Sequence, residues 1–380
     1  MKECIINKAA LKNKIAAFFW MVAVIAFMFQ CFYRPLAGLI VPSLVAFLVL
    51  EVPNVKIGYS RRWVALLAAY LSFVLLSALT SVLKDYHYST IARFLMILIL
   101  IPFAEHVIEP YFDLEWNIFK ILSSAKAVMI LYIWILVFIQ QDYQEYRSWA
   151  YANGSGDIYI LGGIPRVQLL GTSLFVLAAI VEIERKKKIT LYSVLMLAGA
   201  LAAGNSAYIL GIGAYFAIKV IPIGLKWIRD RDPKAIIVLV IFAVALVAFI
   251  GYSVIVLRQK AEFSNVVRKE QWEVLTEANP LLGEGIGHKI YKVTSTRVYE
   301  GDTYFEMQTL YIFNQIGLIG LALFYMITVG FYWNRKQSLI VYLVYLIYTF
   351  WNPYCFDSTH IIAVLLISNH VGHKEAYEIE

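Results

Sequence analysis

The chain has 380 residues; 61% are hydrophobic and only 16% are charged, with a mean hydropathy of +0.69. Soluble domains carry about 25% charged residues, so composition excludes an ordinary soluble protein and leaves length for about a dozen crossings of ~20 apolar residues each. The formal charge of +7 does not call for nucleic acid, because basic residues in such chains mostly orient the helices.

Taken in chain order, lysines precede a first apolar run at residues 15–33. The run is bulky, lacks a small-residue cleavage site and is followed by further spans, so it reads as a retained first helix. Eleven more apolar segments follow, at 36–50, 63–83, 89–108, 119–140, 167–183, 189–204, 206–224, 235–257, 308–332, 338–352 and 359–371. Helices satisfy their own backbone groups in lipid, and the alternating pattern of a membrane barrel is absent. The expectation is an all-α polytopic membrane protein with about twelve transmembrane helices, forming one integral membrane domain over 1–380. No internal repeat and no low-complexity segment stands out. Cys4, Cys31 and Cys355 are scattered and odd in number, which predicts neither a disulfide framework nor a metal site.

Charge orients these segments. One side collects Lys2, Lys8, Lys12 and Lys14, then Lys56, Arg61 and Arg62, Lys120, the run ERKKK at 184–188, KWIRDRDPK at 226–234, Arg335, Lys336 and Lys374. The short loops opposite hold only Arg34, Lys84, Arg147 and Arg166. The asymmetry places both termini in the cytoplasm.

Two segments on the outer side, 141–166 and 258–307, are too long to be mere connectors and read as functional loops. The second carries Arg258, Lys260, Arg268, Lys269, Lys289, Lys292 and Arg297, against the orienting trend. Long loops translocate largely regardless of charge, and an anion arriving at that face gives the charge a purpose.

Within this second loop, 268–278 reads as a short amphipathic helix with Val267, Trp272 and Leu275 on its apolar face. Asn279-Pro280 stops it. Gly283, Gly285 and Gly287 then permit a tight turn and a close approach, either as a flexible connection or as a weak phosphate-binding signal. Arg166 is either an interface arginine or a guanidinium gripping phosphate through two parallel hydrogen bonds. Glu306, at the mouth of the 308–332 segment, is either an interfacial acid paired with Arg297 or a general base. Tyrosines crowd both loops, among them Tyr143, Tyr151, Tyr159, Tyr291 and Tyr304. They read as an aromatic belt or as sugar-stacking surfaces.

In combination these residues resemble the O-antigen polymerase and ligase superfamily, the Wzy-type polymerases and WaaL-type ligases of bacterial envelope polysaccharides. Glu306 and Met307, nine residues and then Gly317-Leu318 keep the spacing of the family's His-x…Gly-Leu element, with Glu in place of His. Arg268, Trp272, Pro280, Gly283, Gly285 and Gly287 reproduce its Arg-x-x-x-Trp and Pro-x-x-Gly-x-Gly-x-Gly elements. Arg166 precedes Gly171-Thr172-Ser173 as the family's arginine precedes a glycine-rich span start. A Ser-Arg pair common in the family appears here only as GNSAY, 204–208, without the arginine.

The resemblance implies a GT-C-like helical fold, with short helices in the two periplasmic loops, in the bacterial inner membrane. It also implies metal-independent, cofactor-free glycosyl transfer between undecaprenyl-diphosphate-linked repeat units at the periplasmic face. In that reading Glu306, Arg268 and Arg166 are catalytic. Arg258, Arg297, Trp272, Gly283, Gly285, Gly287 and Tyr304 bind substrate. The implied partners are the lipid-linked glycans, the bilayer, and a chain-length regulator and flippase. The missing histidine favours a polymerase over a WaaL-type ligase. A non-enzymatic transporter or flippase is the other alternative. It calls for charges buried mid-span, for which Arg93, Lys126 and Lys219 are the candidates.

Overall fold

A computed structural model describes residues 2–51, 61–82, 86–95, 112–229, 251, 266–302, 305–350, 352 and 354–371. In chain order the named helices are α1 (Lys2–Phe29), α2 (Ala37–Glu51), α3 (Arg61–Val82), α4 (Phe112–Gln140) and α5 (Gln144–Ala152). They continue as α6 (Leu174–Lys186), α7 (Leu191–Ala203), α8 (Ser206–Arg229), α9 (Gln308–Gly330), α10 (Lys336–Thr349) and α11 (Ser358–His370). Residues 88–95 and 266–276 are also helical. Strands β1 (Gly156–Leu161) and β2 (Ile164–Leu169) form one antiparallel pair, and β3 (Ile290–Val293) and β4 (Val298–Asp302) another.

Four helical stretches are long and apolar enough to cross a membrane: Leu11–Phe29, Arg61–Thr80, Asp113–Gln140 and Gln308–Gly330. This corrects the expectation of about twelve spans in a GT-C-like arrangement, as far as the described residues go. The 235–257 segment lies outside them except for residue 251, as does most of 89–108. Elsewhere the apolar runs are broken. α6, α7 and α11 have 13 residues and α10 has 14, so each is about 20 Å long against a ~30 Å hydrocarbon core.

The span expected at 167–183 begins only at Leu174, because 167–169 belong to β2. The loops are likewise not purely helical. The turn Leu161-Gly162-Gly163-Ile164 closes the first hairpin with both glycines at positive φ, 59° and 77°. Such a two-residue turn matches the twist of the flanking strands.

α7 starts and stops by local chemistry. The Thr190 hydroxyl accepts from the Ser193 N–H while Ser193 bonds back to the Thr190 N–H, and Gly204 ends the helix in the left-handed region. These two devices satisfy backbone groups that a helix end leaves open. α7 packs on α4 and α6, α8 packs on α10, and α9 lies against α3. The core follows these contacts, with Phe175, Met196, Tyr208, Tyr345 and Tyr348 all buried.

α9 is a broken helix. Gly317 has φ 61° and ψ −170°, and the backbone groups freed there are taken up by the glycine-rich loop. The N–H groups of Glu284 and Gly285 donate to the carbonyls of Asn314 and Gln315, and those of Leu318 and Ile319 donate to Pro280 and Leu281.

Candidate functional site

Helix 266–276 lies against the entry to α9. Its buried face is Val267, Gln271, Val274, Leu275 and Ala278, an i, i+4, i+7, i+8, i+11 stripe. Trp272, expected on that face, is 48% exposed, since five residues from Val267 carry it well round the helix. The Gln271 side-chain carbonyl accepts from the Met307 N–H at 3.3 Å, and Asn314 donates to the Leu275 carbonyl. Arg268 stands one turn before Gln271, so it occupies the same side of the helix. That segment is anchored by rings: Phe305 stacks between Tyr299 and Tyr311.

Glu306 is partly exposed and lies 3.7 Å from the Arg297 guanidinium. That separation is an ion pair rather than a hydrogen bond. Arg297 is placed by the turn 294–297, whose Ser295 and Thr296 hydroxyls donate to Glu270. These bonds hold the Glu270 carboxyl at about 2. Two buried donors in this cluster have no acceptor among the described residues: Nε of Arg268 and Nε2 of Gln271. A buried donor left unsatisfied costs about 1–3 kcal/mol.

The three glycines take a different part from the one a phosphate loop requires. The N–H of Gly283 donates to Asn279, that of Gly285 to Gln315, and that of Gly287 to the Gln315 side-chain carbonyl. They are occupied within the protein and fix the break in α9. Arg258 and Tyr304 lie outside the described residues.

Arg166 sits elsewhere. It is 2% exposed, on β2 opposite Tyr159 of β1, and its Nη1 donates to the Gly204 carbonyl at 2.8 Å. The Tyr159 hydroxyl is its other partner. Gly204 is required here, because a Cβ would come within 2.7 Å of the Arg166 Cγ. No hydrogen bond or ion pair joins Arg166 to Arg268 or Glu306.

A second polar set begins beside Gly204. Asn205 donates to Asn352, and the Tyr208 hydroxyl donates to Tyr354 at 3.3 Å. The Tyr354 hydroxyl lies within the electrostatic reach of Asp357 and Glu306; burial first, then Tyr208 and those carboxylates, push its pKa well above the usual value. Sequence reasoning missed this set. The legible signal was WNPYCFD, 351–357, a polar and proline-bearing break between two apolar runs.

Of the charges expected mid-span, Lys126 is fully buried near the middle of α4. It donates to the Cys31 thiol and lies 4.6 Å over the Phe32 ring. Lys219 pairs with Glu184, and Arg93 is half-buried just before the end of helix 88–95.

No family model, curated protein or solved structure matches the chain.

Proposed function

We propose that the chain is a Wzy-type polymerase, a glycosyltransferase that joins undecaprenyl-diphosphate-linked repeat units at the outer face of the bacterial inner membrane. The observation that carries the reading is the pair of orphan donors, Arg268 Nε and Gln271 Nε2, held on one helix face beside the Glu306 segment. A diphosphate supplies acceptor oxygens for both.

In this mechanism the growing chain is the donor and a single lipid-linked repeat is the acceptor. Glu306 takes the proton from an acceptor hydroxyl. The oxygen attacks the donor's anomeric carbon, forming the new glycosidic bond with inversion. The bond to diphosphate breaks, and its electron pair leaves with the phosphate. Arg268 and Arg297 stabilise that developing charge. Diphosphate is already a competent leaving group. Trp272, exposed on the same helix, offers a ring to the lipid or glycan. Arg166 enters as a positioning residue that fixes the Gly204–Asn205 elbow, and Gly283, Gly285 and Gly287 enter as the lock on α9. A chain-length regulator and a flippase complete the expected partners.

The deciding experiment incubates purified protein with a defined lipid-linked repeat and reads the products on gels. A ladder supports the reading, and no ladder with correctly folded protein overturns it. In cells, loss of a polymerase leaves single repeats on the carrier, whereas accumulated long chains would indicate a ligase.

A further inference from the structure

A cavity of about 410 Å³ opens between the end of α1, the first hairpin, the α7–α8 elbow and the start of α11. Its volume is in the range of small-molecule sites, about 300–1,000 Å³. Arg268, Arg297 and Glu306 do not line it, so it is separate from the cationic cluster. Six of its lining residues determine its chemistry: Gln30, Arg34, Gln168, Tyr208, Tyr354 and Asp357. Gln30 donates its amide N–H to the Phe27 carbonyl, and Gln168 donates its own to the Tyr159 hydroxyl. Among the described residues neither side-chain carbonyl has a donor. Arg34 contributes a guanidinium outside any ion pair among the described residues. The Tyr208 and Tyr354 rings stand 6.3 Å apart, tilted by 36°, with Tyr208 buried behind Tyr354.

The geometry points to this cavity as a binding site for an uncharged sugar residue. Each sugar hydroxyl both donates and accepts. The two amide carbonyls and the Asp357 carboxylate accept from such hydroxyls, while Arg34 and the Tyr354 hydroxyl donate. The partly exposed Tyr354 ring suits the C–H side of a pyranose. Two carboxylates, Asp157 and Asp357, line the wall. Asp157 is already paired with Arg147 at 3.0 Å. Arg34 and Asp357 then leave the wall close to neutral, which suits an uncharged ligand, whereas a diphosphate is matched by the arginines of the Arg268 cluster. Sugar binding does not require transfer, so the inference stands or falls apart from the polymerase reading.

The test uses the purified full chain in detergent and saturation-transfer NMR with free galactose, glucose, mannose and N-acetylglucosamine. Inorganic pyrophosphate is the competitor. At least one sugar is expected to receive saturation and to persist when pyrophosphate is added. Arg34→Gln or Gln168→Leu is expected to weaken binding about fivefold, the size of one neutral hydrogen bond. Arg34 is exposed, so its variant keeps the fold. No transfer to any of the four sugars, displacement by pyrophosphate, or unchanged binding in both variants overturns the assignment. Sugar binding in a protein that makes no ladder would sink the polymerase and leave the cavity's assignment intact.

Discussion

Gly283 and Gly317 meet backbone to backbone where the second long loop crosses the break in α9. A Cβ on Gly283 would lie 2.6 Å from the Gly317 nitrogen, and a Cβ on Gly317 would lie 2.5 Å from the Gly283 nitrogen. Both residues have positive φ, 70° and 61°. Gly283→Ala and Gly317→Ala are therefore expected to destabilise the protein by about 3 kcal/mol each, combining left-handed strain with a steric clash. Thermal unfolding in detergent measures this. A change under ~1 kcal/mol in either variant would contradict the crossing. Gly163→Ala has open space around it and is expected to cost less, because only its φ of 77° opposes the change.

In the transfer reaction, Glu306→Gln removes the base while keeping its shape. The ladder-forming rate is expected to fall about 10²–10⁴-fold, the usual worth of a general base. Arg268→Ala is expected to fall comparably. Arg268→Lys is expected to recover only part, because a lysine lacks the planar fork. Arg166→Lys separates positioning from charge: retained rate with lowered thermal stability is expected. If Arg166→Lys lowers the rate as far as Arg268→Ala at unchanged stability, Arg166 acts on the substrate directly.

Asp357 gives the protein a pH dependence of known sign. Burial raises its carboxyl from 3.8 to about 6, while bonds from Thr359 and the charge of Arg93 oppose the rise. A raised folded value means that the protonated form is favoured by folding. Stability is thus highest below pH ~4 and declines by about 3 kcal/mol as pH rises through 6, levelling off near pH ~7. Asp357→Asn retains a helix cap for α11 and is expected to abolish that slope. Melting temperatures of both proteins between pH 4 and 7 give the answer, and parallel curves would refute the role of this carboxyl.

Lys126 sits in the apolar interior with a thiol and a phenyl ring as its partners. Burying a cation without a carboxylate is unfavourable. Lys126→Met, of similar length, is expected to raise stability by about 1–3 kcal/mol. Chemical or thermal denaturation in detergent tests this. A lowered stability would show that the ammonium is satisfied by something beyond Cys31 and Phe32.

Glu184 is buried and bonds Lys219, Tyr215 and Lys187. Glu184→Ala is expected to destabilise by about 1–3 kcal/mol. This is below the cost of breaking a fully buried pair, because both lysines can turn to solvent. Tyr215→Phe, which removes one bond to that carboxylate, is expected to cost about 1–2 kcal/mol.

The sequence by itself determined what depends on composition and on neighbours along the chain. Apolar runs of the right length declared α3, α4 and α9, and the Asn279-Pro280 stop after helix 266–276 was legible because turn chemistry is local. The pairing of Arg297 with Glu306 was also readable, since only eight residues, five of them strand β4, lie between them. Tertiary structure alone decided the rest. Whether an apolar run spans or stops short depends on what it packs against, so 167–183 divided into a strand and a thirteen-residue helix. Whether a glycine cradles a phosphate or a backbone depends on which chain crosses it, and Gly283 met Gly317. Arg166 and Arg268 have the same chemistry and lie in loops of the same kind. Only the fold placed one under the Gly204 carbonyl and left the other with an unfilled Nε, because a hydrogen-bond partner is a matter of position in space, which local sequence does not encode.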